Sequence, residues 1–236
     1  MNPQGIEDFV DRQVRVWEEQ NRLGDKEQVP LPGHVWGQVI AMSREHGALG
    51  ARIARLVAQK LEFAYYDREI VERIASTANV RKAVVDSVDE RVLDWFQEWM
   101  SDVFGGRRLS GNDYVRHLST VLMTIAYHGR AVIVGRGACF LLNPATTLRV
   151  RAYAPINVRV ARVAESRGLS MEEARAEVLE KDAGRIDFGR RHFDIETSDP
   201  RWYDLMFDTS TLPAETCAGI IETAFKARFG QHSVRP

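Results

Sequence analysis

Lysine is scarce in this chain. Lys26, Lys60, Lys82, Lys181 and Lys226 are the five lysines among 32 basic residues, so arginine carries nearly all the positive charge. The planar fork of arginine suits bidentate contact with phosphate or carboxylate, although a GC-rich genome gives the same bias. Cysteine is scarcer still. Cys139 and Cys217 stand alone, too few for a disulfide framework or a thiolate metal cage and outside any C-x-x-C pair, so both read as buried apolar residues. No segment approaches the roughly 18 uninterrupted apolar residues of a membrane helix. The opening MNPQGIEDFVDRQ lacks the apolar core of a secretory leader. These absences point to a cytoplasmic protein with no membrane partner. Excess charge is missing too: a net charge of −1 argues against nucleic acid as the main partner.

What remains is 236 residues, 44% hydrophobic, enough for one substantial core and a smaller appended part. In residues 1–35, Ile6, Phe9, Val10, Val14 and Trp17 recur at helical spacing before the polar, proline-bearing stretch 24–33. The spacing predicts an amphipathic helix and a linker. Its apolar stripe must cover either the chain's own body or a partner subunit, the second giving a homo-oligomer through this helix. From residue 36 to 229 strand-like and helix-like stretches alternate. Strands are expected at 35–42, 63–66, 131–135, 147–154 and 204–210, with helices between them. That rhythm predicts an α/β doubly wound fold, a parallel sheet of about five strands covered by helices. Between 80 and 129 it breaks, because Val84, Val88, Val92, Phe96 and Met100 form one helical stripe and Tyr114, Leu118, Val121, Leu122 and Ile125 another. We read this stretch as a helical insertion, 165–197 as a long charged lid and 230–236 as a tail.

Chemistry concentrates where the first strand ends. Ser43-Arg-Glu-His-Gly-Ala-Leu-Gly50 leads straight into a helix, a setting that aims backbone N–H groups at an anion. A full G-x-x-x-x-G-K-[ST] loop would add a lysine for the outer phosphates and a hydroxyl for Mg²⁺, and neither follows Gly50. Losing one such charge from a dry site costs on the order of 3 kcal/mol, about a hundredfold in rate.

The stretch SREHGALGARIARLVAQKLEFAYYDREI resembles the opening of the cytidylate kinase-like proteins, a branch of the nucleoside monophosphate kinases with a phosphate loop of the type SREYGSGG and a later YYD. The resemblance continues, in the same order, through VIVGRGACFLL (132–142), YAPINVRVARV (153–163), EKDAGR (180–185) and DPRWYDLMFDTSTL (199–212). It implies a P-loop-type phosphotransferase that uses ATP and Mg²⁺ and takes small-molecule nucleotides as partners, with CMP the leading acceptor. Ser43, Gly47 and Gly50 would then cradle the donor's phosphates, with Arg44 or Arg52 supplying the charge of the missing lysine. Asp67 and Arg73 match the acceptor segment, and Arg136 matches an acceptor-binding arginine whose usual acidic neighbour is here Gly137. Asp182 and Arg185 match the D-x-x-R of the lid. No metal-ligating residue of the chain is singled out.

Plainer readings exist for several of these residues. Arg159 and Arg162 could be a solvated helix face, and Arg185, Arg190 and Arg191 could merely pair with acidic neighbours three or four residues away. His46 reads as an exposed loop histidine, and Asp208 as a turn cap. Trp95, Phe96, Trp99 and Phe104 read as helix packing. A non-catalytic nucleotide sensor with a degenerate phosphate loop is the alternative to an enzyme.

Overall fold

Valine, isoleucine and alanine alternate through the central strands, and the two sets of side chains serve two different cores. The computed structural model describes residues 3–23, 37–103 and 113–230. Its strands are β1 (Val39–Arg44), β2 (Ala64–Tyr66), β3 (Ala131–Val134), β4 (Thr147–Tyr153) and β5 (Leu205–Asp208). All adjacent pairs are parallel, in the order β2-β3-β1-β4-β5. Parallel strands need crossovers, and helices supply them on both faces. Strands begin within about four residues of the expected positions. The largest difference is the first, which starts at Val39 rather than Val35.

The helices are α1 (Pro3–Leu23), α2 (Gly50–Leu61), α3 (Arg68–Ser76), α4 (Ala78–Val85), α5 (Glu90–Val103), α6 (Asp113–His128), α7 (Ala138–Leu141), α8 (Ile156–Arg167), α9 (Met171–Phe193) and α10 (Ala214–Phe229). Ile40, Met42, Val132, Val134 and Val150 point toward α2 and α10, where Ile53, Val57, Cys217 and Ile221 complete one core. Val39, Ala41, Ala131 and Ile133 face the other way, into a larger core built with α1, α3 and α6. Both cysteines are buried free thiols. The insertion expected between 80 and 129 is helical, as α4, α5 and α6. Its Gly105–Arg108 junction and Phe104 fall outside the described residues, as does the 24–33 linker.

The stripe of α1 is covered by the chain itself. Ile6, Val10 and Trp17 are buried against α3, α4 and α6, and Trp17 stacks on His128 with ring centroids 4.2 Å apart. That cover removes the reason for expecting a partner subunit along this helix. Burial pushes the His128 imidazole down to about 4, so it is neutral at physiological pH. A third, small core, Val160, Val163, Ala174 and Val178, joins α8 to α9 as a helical hairpin. Gly168 turns between them with φ 65°, and a Ser170–Glu173 capping box starts α9.

Candidate active site

Connections leaving β1 and β3 run to opposite sides of the sheet, which opens a crevice at the carboxyl ends of these neighbouring strands, the usual ligand position in such sheets. Both strands end in glycine-bearing turns there. After β1, Gly47 takes φ 79°, and a Cβ on it would lie 2.7 Å from the Arg159 carbonyl oxygen. Leu49 adopts φ 57°, and a Cβ on Gly50 would lie 2.5 Å from that of Arg44. No side chain caps the start of α2, so this helix presents backbone N–H donors of the kind that hold phosphate.

A cavity of about 530 Å³ opens beside this turn, lined by Ser43, Arg44 and Glu45 at the end of β1, by Gly135, Arg136 and Gly137 after β3, and by residues of α9 from Leu179 to Gly189. Among the described residues seven cationic ones line it, Arg44, Arg68, Arg136, Arg151, Arg159, Lys181 and Arg185, against the carboxylates of Glu45, Glu180 and Asp182. Phe140 and Phe188 give it an apolar wall.

Arg44 has no hydrogen-bond or ion-pair partner among the described residues. Its guanidinium lies over Gly135, where any Cβ would collide with it. Burial, and then the charge of Arg185, pulls its pKa down to about 10. Arg136, at φ 53°, pairs with Glu72 and lies over the Phe188 ring at 4.9 Å. Burial and then Arg68 and Arg44 lower its pKa to about 10. Burial also lowers Arg185, against the opposing pull of Asp182 at 2.8 Å. The chain thus gathers cations that repel one another, an arrangement that favours an incoming anion.

Beneath them runs a charge chain in which Arg151 and Arg159 are buried and Glu45 and Asp182 are half-buried. Glu45 Oε1 faces Arg151 Nη2 at 3.4 Å, and Glu45 Oε2 faces Arg159 Nε at 3.2 Å. Arg159 Nη1 donates to Asp182 at 2.5 Å and to the His46 carbonyl at 3.1 Å. Arg151 also donates to the Thr197 carbonyl at 2.8 Å. Arg162 donates to the Thr209 carbonyl at 2.6 Å. Arg159 and Arg162 therefore turn inward, and the solvated-face reading of both is corrected. His46 is corrected likewise: its Nε2 lies 2.8 Å from Glu177 Oε1 on α9.

The expected site residues divide into two groups. Ser43, Arg44, Arg136, Asp182 and Arg185 line one cavity. Gly47 and Gly50 shape the turn but do not line the cavity: Gly47 lies against Arg159 of α8, and Gly50 against Arg44 and Ala152. Arg52 is not brought to it: its side chain is 63% exposed and pairs with Glu215 at 2.6 Å on α10. Arg52, the third residue of α2, points along the helix surface toward α10. Asp67 caps α3 by accepting from the Ile70 N–H at 3.0 Å, and Arg73 is drawn to Glu7 of α1 at 2.6 Å. Neither lines the cavity. Asp208 accepts from the Ser210 N–H at 2.9 Å and closes the turn after β5. Trp95 and Trp99 stack 5.8 Å apart and pack on the core, as read from sequence.

Sequence reasoning missed Glu45, Arg68, Arg151 and Lys181 as cavity residues. One signal was available for Arg151: an arginine at an inward position of a buried strand demands a partner. The departure at Gly137 has a packing cause, since a Cβ there would lie 2.5 Å from the Phe193 ring, and φ is 77°. Among the described residues no group of three or more His, Cys, Asp or Glu could hold a metal. The cavity carboxylates Glu45 and Asp182 are engaged by arginines, so the described residues offer no preformed Mg²⁺ cage.

The parallel sheet, the turn-to-helix junction after β1 and the arginine-lined crevice define a protein of the P-loop kinase type of α/β fold. The chain belongs to the cytidylate kinase-like family, whose model matches residues 39–211. It is similar to the cytidylate kinase of Methanopyrus kandleri, 28% identical over 108 residues, covering 42% of this chain and 56% of that protein. Similarity to the cytidylate kinase of Pyrococcus horikoshii is 33% over 99 residues, 42% of this chain and 51% of that one. The chain spans about half the length of these relatives. A crystal structure of an uncharacterized protein from Eubacterium ventriosum shares the fold, with a TM-score of 0.65, 20% identity, and coverage of 80% of this chain and 98% of that one. Among the described residues no helix is long and apolar enough to cross a membrane.

Proposed function

We propose that this chain is a nucleotide phosphotransferase that moves the γ-phosphoryl of ATP to a nucleoside monophosphate, CMP first among acceptors. The observation that carries the reading is the convergence of Arg44, Arg136 and Arg185 on one cavity beside the turn, with Arg44 unpaired. Phosphoryl transfer asks for positioning and positive charge around the equatorial oxygens more than for a covalent group, and several arginines can provide both. The uncapped start of α2 receives the donor's phosphates, and Arg136 with Arg44 receives the acceptor's phosphate. An acceptor phosphate oxygen bonds to the γ-phosphorus as the bond to the β–γ bridging oxygen breaks, and ADP leaves. Arg185 and Lys181, carried by α9, supply charge from above in place of the loop lysine. Mg²⁺ would arrive held by the donor's phosphates, as it commonly does.

The missing loop lysine favours a second reading, a non-catalytic nucleotide sensor. ADP release from ATP, measured with a panel of nucleoside monophosphates, separates the two. The enzyme reading expects CMP to raise ADP release well above the ATP-only rate. Binding of ATP and CMP with no acceptor-stimulated ADP release would leave the sensor.

A further inference from the structure

A carboxylate of the chain itself already occupies the turn. Asp182, midway along α9, accepts from the His46 backbone N–H at 2.8 Å, from Arg159 Nη1 at 2.5 Å and from Arg185 Nη1 at 2.8 Å. A helix-surface pair with Arg185 would explain the last contact alone. A backbone amide of a glycine turn together with two guanidiniums is instead the donor set of an oxyanion site. Five residues earlier Glu177 meets the His46 imidazole, so α9 rests on the turn at two points. The α8–α9 hairpin is joined by its own small core.

We propose that Asp182 is a built-in placeholder: its carboxylate fills a phosphate-oxygen subsite on the turn, and a polyphosphate ligand binds by displacing it and lifting α9 at that contact. The inference rests on reading the turn as a phosphate site. A ligand competing with an internal anion binds with an affinity reduced by the fraction of molecules in which that anion is released. Asp182 thereby sets how tightly the turn holds its ligand and couples the lid to occupancy.

The test is calorimetric titration of inorganic pyrophosphate and ADP into the full-length wild type, Asp182→Asn and Glu180→Gln. Glu180 lines the same cavity from the same helix and touches neither His46 nor Arg159, so its variant removes equal charge without vacating the turn. Asp182→Asn is expected to bind pyrophosphate on the order of tenfold tighter than wild type, and Glu180→Gln to stay within about twofold. Equal or weaker binding by Asp182→Asn, or an equal gain in Glu180→Gln, overturns the placeholder while leaving the phosphate reading standing. No binding of either ligand by any of the three proteins overturns the phosphate reading itself. Should Asp182→Asn fail to fold, hydrogen exchange in wild type decides. Exchange across residues 177–185 must quicken when pyrophosphate saturates the protein, and unchanged or slower exchange contradicts the proposal.

Discussion

An unpaired guanidinium deep in a cleft destabilises the fold that contains it, and Arg44 is such a group. Its folded pKa, about 10, lies below the ordinary arginine value, so at neutral pH the protonated side chain opposes folding. Arg44→Met keeps the stem that fits under Gly50 and removes the charge. We expect a rise in stability of roughly 1 kcal/mol in thermal melts, together with weaker CMP binding, the trade-off of a functional residue. Arg136→Ala and Arg185→Ala are expected to lower turnover about a hundredfold each. Circular dichroism should show both folded at the assay temperature, and near-normal turnover in either would remove that residue from the site. Arg52 illustrates what sequence could not decide at this scale. Whether an arginine at the third position of a helix faces the turn depends on where α10 offers a carboxylate, and Glu215 offers one.

Elements were more legible than contacts. Five apolar strands separated by helical stripes specify a parallel sheet through side-chain period and crossover length, and all five form at or near the expected residues. Which helix meets which is a tertiary matter, and that is why Arg73 was misplaced from the cavity. The acceptor-segment helix presents it outward to α1, and Glu7 takes it. Arg73→Ala should therefore loosen α1 and lower stability by about 0.5 kcal/mol, since both partners are over a third exposed or close to it. The KM for CMP should not change; a large rise would return Arg73 to acceptor binding. The α1–α6 contact also has a pH signature. Held near 4, His128 stays neutral in the fold, whereas an unfolded histidine takes up a proton below about 6.5. Stability from this contact is complete above that value and drains as pH falls toward 4. His128→Phe, which preserves a ring for Trp17, should lose about 2 kcal/mol less than wild type between pH 7.5 and 4.5 in denaturant titrations. Parallel pH slopes in the two proteins would contradict this.

At the scale of the whole molecule, the charge arrangement answers the absence noted first. A chain poor in lysine brings arginines from β1, the turn after β3, β4, α3, α8 and α9 to one crevice. Arg44, Arg136 and Arg185 could be read from family-like motifs, but the convergence required the sheet order to place β1 beside β3. The relay from Arg151 through Glu45 and Arg159 to Asp182 was illegible, because Glu45 stands more than 100 positions from both of its arginine partners and their motifs do not announce one another. The claim on which all of this turns is that the crevice transfers phosphoryl groups between nucleotides. Incubation with γ-labelled ATP and CMP, followed by separation of the products, tests it most directly. Label should appear in CDP with wild type and fall sharply with Arg44→Met; label confined to ATP and inorganic phosphate, or undiminished CDP labelling by Arg44→Met, would contradict it.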